Sequence, residues 1–205
     1  AFLILLNVQG RLCAARRARV LYHPPMLTLA ALVLALAQPQ PATLSLTSDN
    51  TRVEKSCILE IAPGTVIADP DNNGVIQIAA DDITIEFAPG SALSGASPDK
   101  APDSFTGIGI RLDGHKGVTI KNAAVSGFKV GLYATDCPGL TIDAGNFSNN
   151  YHQRLKSTPQ AEDGSDWLFP HNNDNGEWTK QHGAGISIKS AANITLRNIL
   201  MRQGQ

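Results

Sequence analysis

One stretch of the chain holds most of the side chains with chemistry to offer. Tyr151 to His182 carries both Trp residues and three of the five His. It also holds the acids Glu162, Asp163, Asp166, Asp174 and Glu177, with Arg154, Lys156 and Lys180 among them. Two reactions suit that set. Hydrolysis of a glycoside needs one carboxyl to protonate the leaving oxygen and a second to attack or to activate water. Elimination from a uronate needs a base for the proton beside the carboxylate, and a cation to neutralise that carboxylate. Asp163, Asp166, Asp174, Glu177 and Lys180 are the catalytic candidates. Tyr151, His152, Arg154, Trp167, His171, Trp178 and His182 are the substrate-binding candidates, because aromatic faces beside polar groups suit sugar rings. Neither reaction has a diagnostic spacing here. Five acids on one polar loop read equally as solvated side chains, and the aromatics as the packing of a structured lid.

Metal chemistry has less to stand on. Asp69-Pro70-Asp71-Asn72-Asn73-Gly74 matches the first half of a calcium loop, but Ala80 stands where the bidentate Glu belongs. A tight turn is the simpler reading of those residues. Calcium is the cofactor left open, zinc or copper at the His residues of the insertion is a lesser alternative, and no residue is assigned to a metal. His152, His171 and His182 lack a short ligand spacing. Cys57 and Cys137 fit neither a metal nor a redox pattern, and buried thiols are the preferred reading.

A 32-residue loop of this kind needs a scaffold. Around it runs a repeated phrase: Ile83-Thr84-Ile85, Val118-Thr119-Ile120, Leu140-Thr141-Ile142 and Ile194-Thr195-Leu196. Each triplet follows a second strand-like phrase: Val75-Ile76-Gln77-Ile78, Ile108-Gly109-Ile110, Gly131-Leu132-Tyr133 and Gly185-Ile186-Ser187-Ile188. Polar turns of a few residues lie between, as in Asp113 to Gly117 and Ser190 to Asn193. Five residues after each of the last three triplets another apolar residue arrives, Val125, Phe147 or Met201, whereas the first has Gly90 there. Strands so short must pair with their copies in neighbouring repeats, stacking inward side chains in columns. Two insertions break the rhythm, residues 95–106 and 151–182, and both are expected as surface loops.

The repeat predicts an all-β chain. It resembles the right-handed parallel β-helix (pectate-lyase-like) superfamily over about residues 56–205. That resemblance implies a solenoid of parallel strands, here as an N-terminal portion incomplete at the C-terminus. It carries over no catalytic residue. The Asn-Thr-Asp, Gly-His-Gly and Arg-Ile-Lys motifs of polygalacturonase-like members, and the Arg-x-Pro-x-x-Arg motif of pectate-lyase-like members, do not occur.

Residues 1–37 stand apart. They hold Arg11, Arg16, Arg17 and Arg19, no acid, and an apolar run from Leu27 ending in Ala35-Leu36-Ala37. This is a leader pattern of the signal-peptide type, too short for a stable membrane span. Residues 38–55 form a polar lead-in. Of 17 Lys+Arg, four lie in the leader, and all 18 Asp+Glu lie outside it, so the remainder is net acidic. Such a surface argues against nucleic acid. It admits neutral glycans, and acidic ones only where cations concentrate locally. The expectation is a secreted, periplasmic or cell-surface protein acting on a polysaccharide as lyase or glycoside hydrolase. The alternative is a non-catalytic glycan-binding, surface or accessory protein.

Overall fold

The computed structural model describes residues 41–167, 173 and 177–203. The leader, His171 and Asp174 lie outside them. In chain order the strands are β1 (Ala42–Ser45), β2 (Thr51–Val53), β3 (Cys57–Glu60), β4 (Ile76–Ile78), β5 (Thr84–Phe87) and β6 (Leu93–Ser94). They continue as β7 (Ile108–Asp113), β8 (Thr119–Lys121), β9 (Val125–Ser126), β10 (Val130–Thr135) and β11 (Thr141–Asn146). A single described α-helix, α1 (Glu177–His182), precedes β12 (Ala184–Lys189) and β13 (Thr195–Leu200).

All the described strand pairs are parallel. One sheet has six strands in the order β1-β3-β5-β8-β11-β13, a second has five in the order β12-β10-β7-β4-β2, and a third pairs β6 with β9. The four triplets fall on β5, β8, β11 and β13 of the six-stranded sheet. The phrases ahead of them fall on β4, β7, β10 and β12 of the five-stranded sheet. The two phrases of each repeat thus build two different sheets, and equivalent residues of successive repeats lie side by side.

Register makes the columns explicit. Cys57, Ile85, Ile120, Ile142 and Leu196 are paired in sequence across the six-stranded sheet. Ile76, Ile110, Leu132 and Ile186 do the same in the five-stranded sheet. Ile85, Ile110, Ile120, Leu132 and Ile142 are essentially inaccessible to solvent. Each such side chain contributes about 1.5–3 kcal/mol by leaving water. Alternation then points their chain neighbours outward. Gln77, Arg111, Tyr133 and Ser187 are aligned across β4, β7, β10 and β12 on the outer face of the five-stranded sheet.

Every polar turn between the paired phrases contains left-handed backbone. Asp82, Asp136, Ser190 and Asn193 have φ of 54°, 49°, 48° and 56°, and Gly114 and Gly117 have 73° and 65°. Asn, Asp and Gly tolerate that region, which explains the composition of these turns. Successive turns also bond to one another: the Asp82 amide donates to the Lys116 carbonyl, Gly117 to Pro138, and Gly139 to Ala192.

The first repeat differs at its third strand. The Pro89-Gly90 turn shifts the apolar position to Leu93, which starts β6 and pairs with Val125. In the last strand, β13, Leu196 and Leu200 are 48% and 41% exposed, so this end of the sheet shows apolar side chains. Cys57 and Cys137 are buried free thiols, as read from the sequence. Among the described residues no helix is long and apolar enough to cross a membrane.

Candidate functional site

The long insertion leaves the sheets at Asn150. This side chain is fully buried, and its Oδ1 accepts from the Phe128 amide at 3.1 Å. Its Nδ2 donates to the Val125 and Phe147 carbonyls at 3.1 and 2.9 Å. The insertion returns through α1, which ends at Gly183, where φ is +68° and the amide donates to the Thr179 carbonyl. A left-handed glycine is the common way to stop a helix. The Ala184 amide then donates to the Lys129 carbonyl, which starts β12 beside β10.

Between α1 and the outer face of the five-stranded sheet lies a groove of about 410 Å³. Arg111 of β7, Tyr133 of β10 and Lys189 of β12 line its sheet side, Lys129 one edge, and Thr179 and Lys180 its helical side. The Arg111 guanidinium and the Lys189 ammonium lie 5.6 and 5.9 Å from the centre of the Tyr133 ring. The Lys129 ammonium sits 3.2 Å from the centre of the Tyr151 ring and donates to the Gln181 carbonyl at 2.8 Å. Burial holds Lys129 below the ordinary lysine range. No carboxylate is among the described lining residues.

Of the residues singled out from sequence, Lys180 reaches the groove, and Tyr151 supports it from beneath Lys129. His182 is buried, with its Nδ1 donating to Gln153 Oε1 at 2.6 Å. Burial first, and then the Lys129 charge, lower its pKa. Asp163 and Asp166 lie elsewhere and organise the loop itself. Asp163 accepts from the Ser165 amide and hydroxyl. Asp166 accepts from the backbone amides of Lys156 and Ser157. The Ser165 bonds hold the Asp163 carboxyl below its ordinary range, and the Ser157 side chain, followed by the two amides, does the same for Asp166. Arg154 pairs with Asp103 at 3.6 Å, linking the two insertions at the surface. His152 lines a separate hollow of about 430 Å³ with Phe105, Lys100 and Asn149. Its Nδ1 is buried without a hydrogen-bond partner. Trp167 is 55% exposed. Glu177 and Trp178 fall in the first turn of α1.

Sequence reasoning missed Arg111, Lys129, Tyr133 and Lys189. A signal was present for three of them, since the outward positions of the strand phrases share one face once the register is known. The calcium-like segment folds as a turn. Asp69 is buried, and it accepts from the Asn73, Gly74 and Ile108 amides at 3.2, 3.1 and 2.7 Å. Desolvation raises its pKa. Carboxylate oxygens of Asp49, Asp69 and Asp71 lie within 4.8 Å of one another, hard ligands of the kind calcium takes. Those of Asp69 already accept from two amides of the turn, Asn73 and Gly74, and from the Ile108 amide at the start of β7.

Comparison with protein-family models, with curated proteins and with solved structures finds no match.

Proposed function

We propose that this chain is a right-handed parallel β-helix protein of the pectate-lyase-like type, exported, and acting on a polysaccharide at the groove between α1 and the five-stranded sheet. One observation carries this reading. A half-buried Tyr133 ring lies on the outer face of the sheet within a groove walled by polar and charged side chains. An aromatic face takes the apolar side of a sugar ring, and the surrounding donors take its hydroxyls. The groove also sits where the insertion folds back on the sheet, which is where repeat proteins tend to place binding loops. The parallel pairing of every described strand supports the β-helix, and the leader pattern of residues 1–37 supports export.

Lyase-type cleavage, glycoside hydrolysis and binding alone remain distinguishable by assay. The protein is incubated with a panel of plant and algal polysaccharides. New reducing ends together with unsaturated-uronate absorbance identify a lyase, reducing ends without that absorbance a hydrolase. Retention of glycan without cleavage identifies an accessory binding protein, the second reading, which the missing catalytic motifs favour. Failure to bind or cleave any member of the panel refutes the glycan reading.

A further inference from the structure

We propose that the junction of His182, Gln153 and Lys129 is an acid-sensitive latch, through which protonation of His182 frees α1 and opens the helical side of the groove. The junction joins three parts of the chain. Gln153 belongs to the start of the insertion, His182 is the last residue of α1, and Lys129 leads into β10. His182 is 4% exposed, and its Nδ1 donates to Gln153 Oε1 at 2.6 Å. The Lys129 ammonium donates to the Gln181 carbonyl at 2.8 Å, which sets a positive charge beside the residue preceding the buried imidazole. Gly183 packs as closely. A Cβ there would collide with the Lys129 carbonyl and lie 3.0 Å from the Tyr151 ring. Thr179 and Lys180 form the helical side of the groove, so they leave with α1 when the junction opens.

The site accepts the imidazole in its neutral form. A proton on the second ring nitrogen makes a cation in a recess that hydrates it poorly, and Lys129 repels that cation. Among the described residues Lys129 is the one charge acting on His182, and no carboxylate pairs with the ring. The other titratable neighbour is Tyr151, whose phenol is raised by burial and then by Asp103, so it stays neutral in acid. A helix C-terminus ordinarily favours a cation. Here α1 has six residues, and its Gln181 carbonyl already holds the Lys129 ammonium. Burial first, and Lys129 second, therefore keep His182 below its ordinary 6.5 in the closed form. The open form takes up the proton more readily. The closed form is thus fully favoured above about 6.5, and loses ground as pH falls through that value toward the lowered one. One proton is taken up, so the opening constant rises by at most about tenfold per pH unit.

The test is amide exchange on the full chain, followed by NMR from about pH 7.5 to about pH 5 and corrected for the intrinsic pH dependence of exchange. The His182 ring is titrated in the same samples. No glycan is added, so the outcome stands apart from the reading above. The reporters are the Gly183 and Ala184 amides, bonded to the Thr179 and Lys129 carbonyls. Their opening constants should rise below about pH 6.5, by up to about tenfold per unit. The Thr119 and Thr141 amides, bonded to the Ile83 and Val118 carbonyls within the sheet, should stay protected. His182→Asn keeps a donor where Nδ1 stands and should remove the pH dependence. Gln153→Glu sets a carboxylate against the ring and should reverse it, so that acid tightens the junction. Opening constants that do not change with pH in the unaltered chain overturn the latch, as does a response that survives His182→Asn at full size. Should His182→Asn not fold, the other two measurements decide. An acid response unchanged by Gln153→Glu, or a protonated His182 ring with Gly183 and Ala184 still protected, overturns the latch.

Discussion

Replacing Asn150 with Ala removes three buried hydrogen bonds where the long insertion leaves the sheets. Each contributes about 1 kcal/mol net, and a stranded buried group costs about 1–3 kcal/mol. The Phe128 amide is the clearest such group, since Asn150 Oδ1 is its acceptor at 3.1 Å. The expected loss is therefore about 3–5 kcal/mol, a large part of the stability of an ordinary domain. Asn150→Asp separates the contributions. It keeps the acceptor for Phe128 but turns an oxygen toward the Val125 and Phe147 carbonyls, and a buried carboxylate there has no donor to offer them unless protonated. It should destabilise at least as much as Ala at neutral pH and recover part of the loss at low pH. The assay is urea unfolding followed by circular dichroism and Trp fluorescence, with coincidence of the two probes as the test of two-state behaviour. Losses below about 1 kcal/mol for both variants would show that these bonds do not clamp the insertion.

Other positions give independent checks. Ala144 adopts φ of 57° where the equivalent strands have Asn122 and Asn198, so Ala144→Gly should stabilise by about 0.5–1 kcal/mol in the same unfolding assay. Ile120 is fully buried in the middle of its column, and Ile120→Ala should cost about 2–5 kcal/mol. The Asp166 carboxyl is held below its ordinary value of 3.8 by bonds from Ser157 and Lys156. Its contribution to loop order is therefore present above that value and lost as pH falls through the lowered one. Hydrogen exchange at the Lys156 and Ser157 amides should accelerate on that descent, and Asp166→Asn should abolish the pH dependence. Cys57 and Cys137 are buried, with thiol pKa values raised by burial, so a thiol reagent should label neither until the protein unfolds.

The scaffold was legible because its signals are local. A β-branched triplet such as Val118-Thr119-Ile120 forms its strand and buries its ends wherever the chain places it, and Asn, Asp and Gly mark turns that need left-handed backbone. The third strand of the first repeat was less legible. Its apolar residue, Leu93, arrives after a Pro-Gly turn that no spacing rule anticipates. The groove was the least legible part. Arg111, Tyr133 and Lys189 lie far apart in the chain and meet only through the register of β7, β10 and β12. Irregular intervals between repeats conceal that register. The acids of the insertion were easy to notice by type. Their partners, largely amides and hydroxyls of the same loop, follow from its folded path and not from spacing.

Lysine footprinting tests the central claim most directly. The protein is acetylated with and without a saturating oligosaccharide drawn from the polysaccharide panel, and the modified residues are read by mass spectrometry. The account predicts that Lys129, Lys180 and Lys189 become protected together, while the exposed Lys55 and Lys116 react as before. Bound oligosaccharide with those three lysines unprotected, or with protection centred on other lysines, would contradict it.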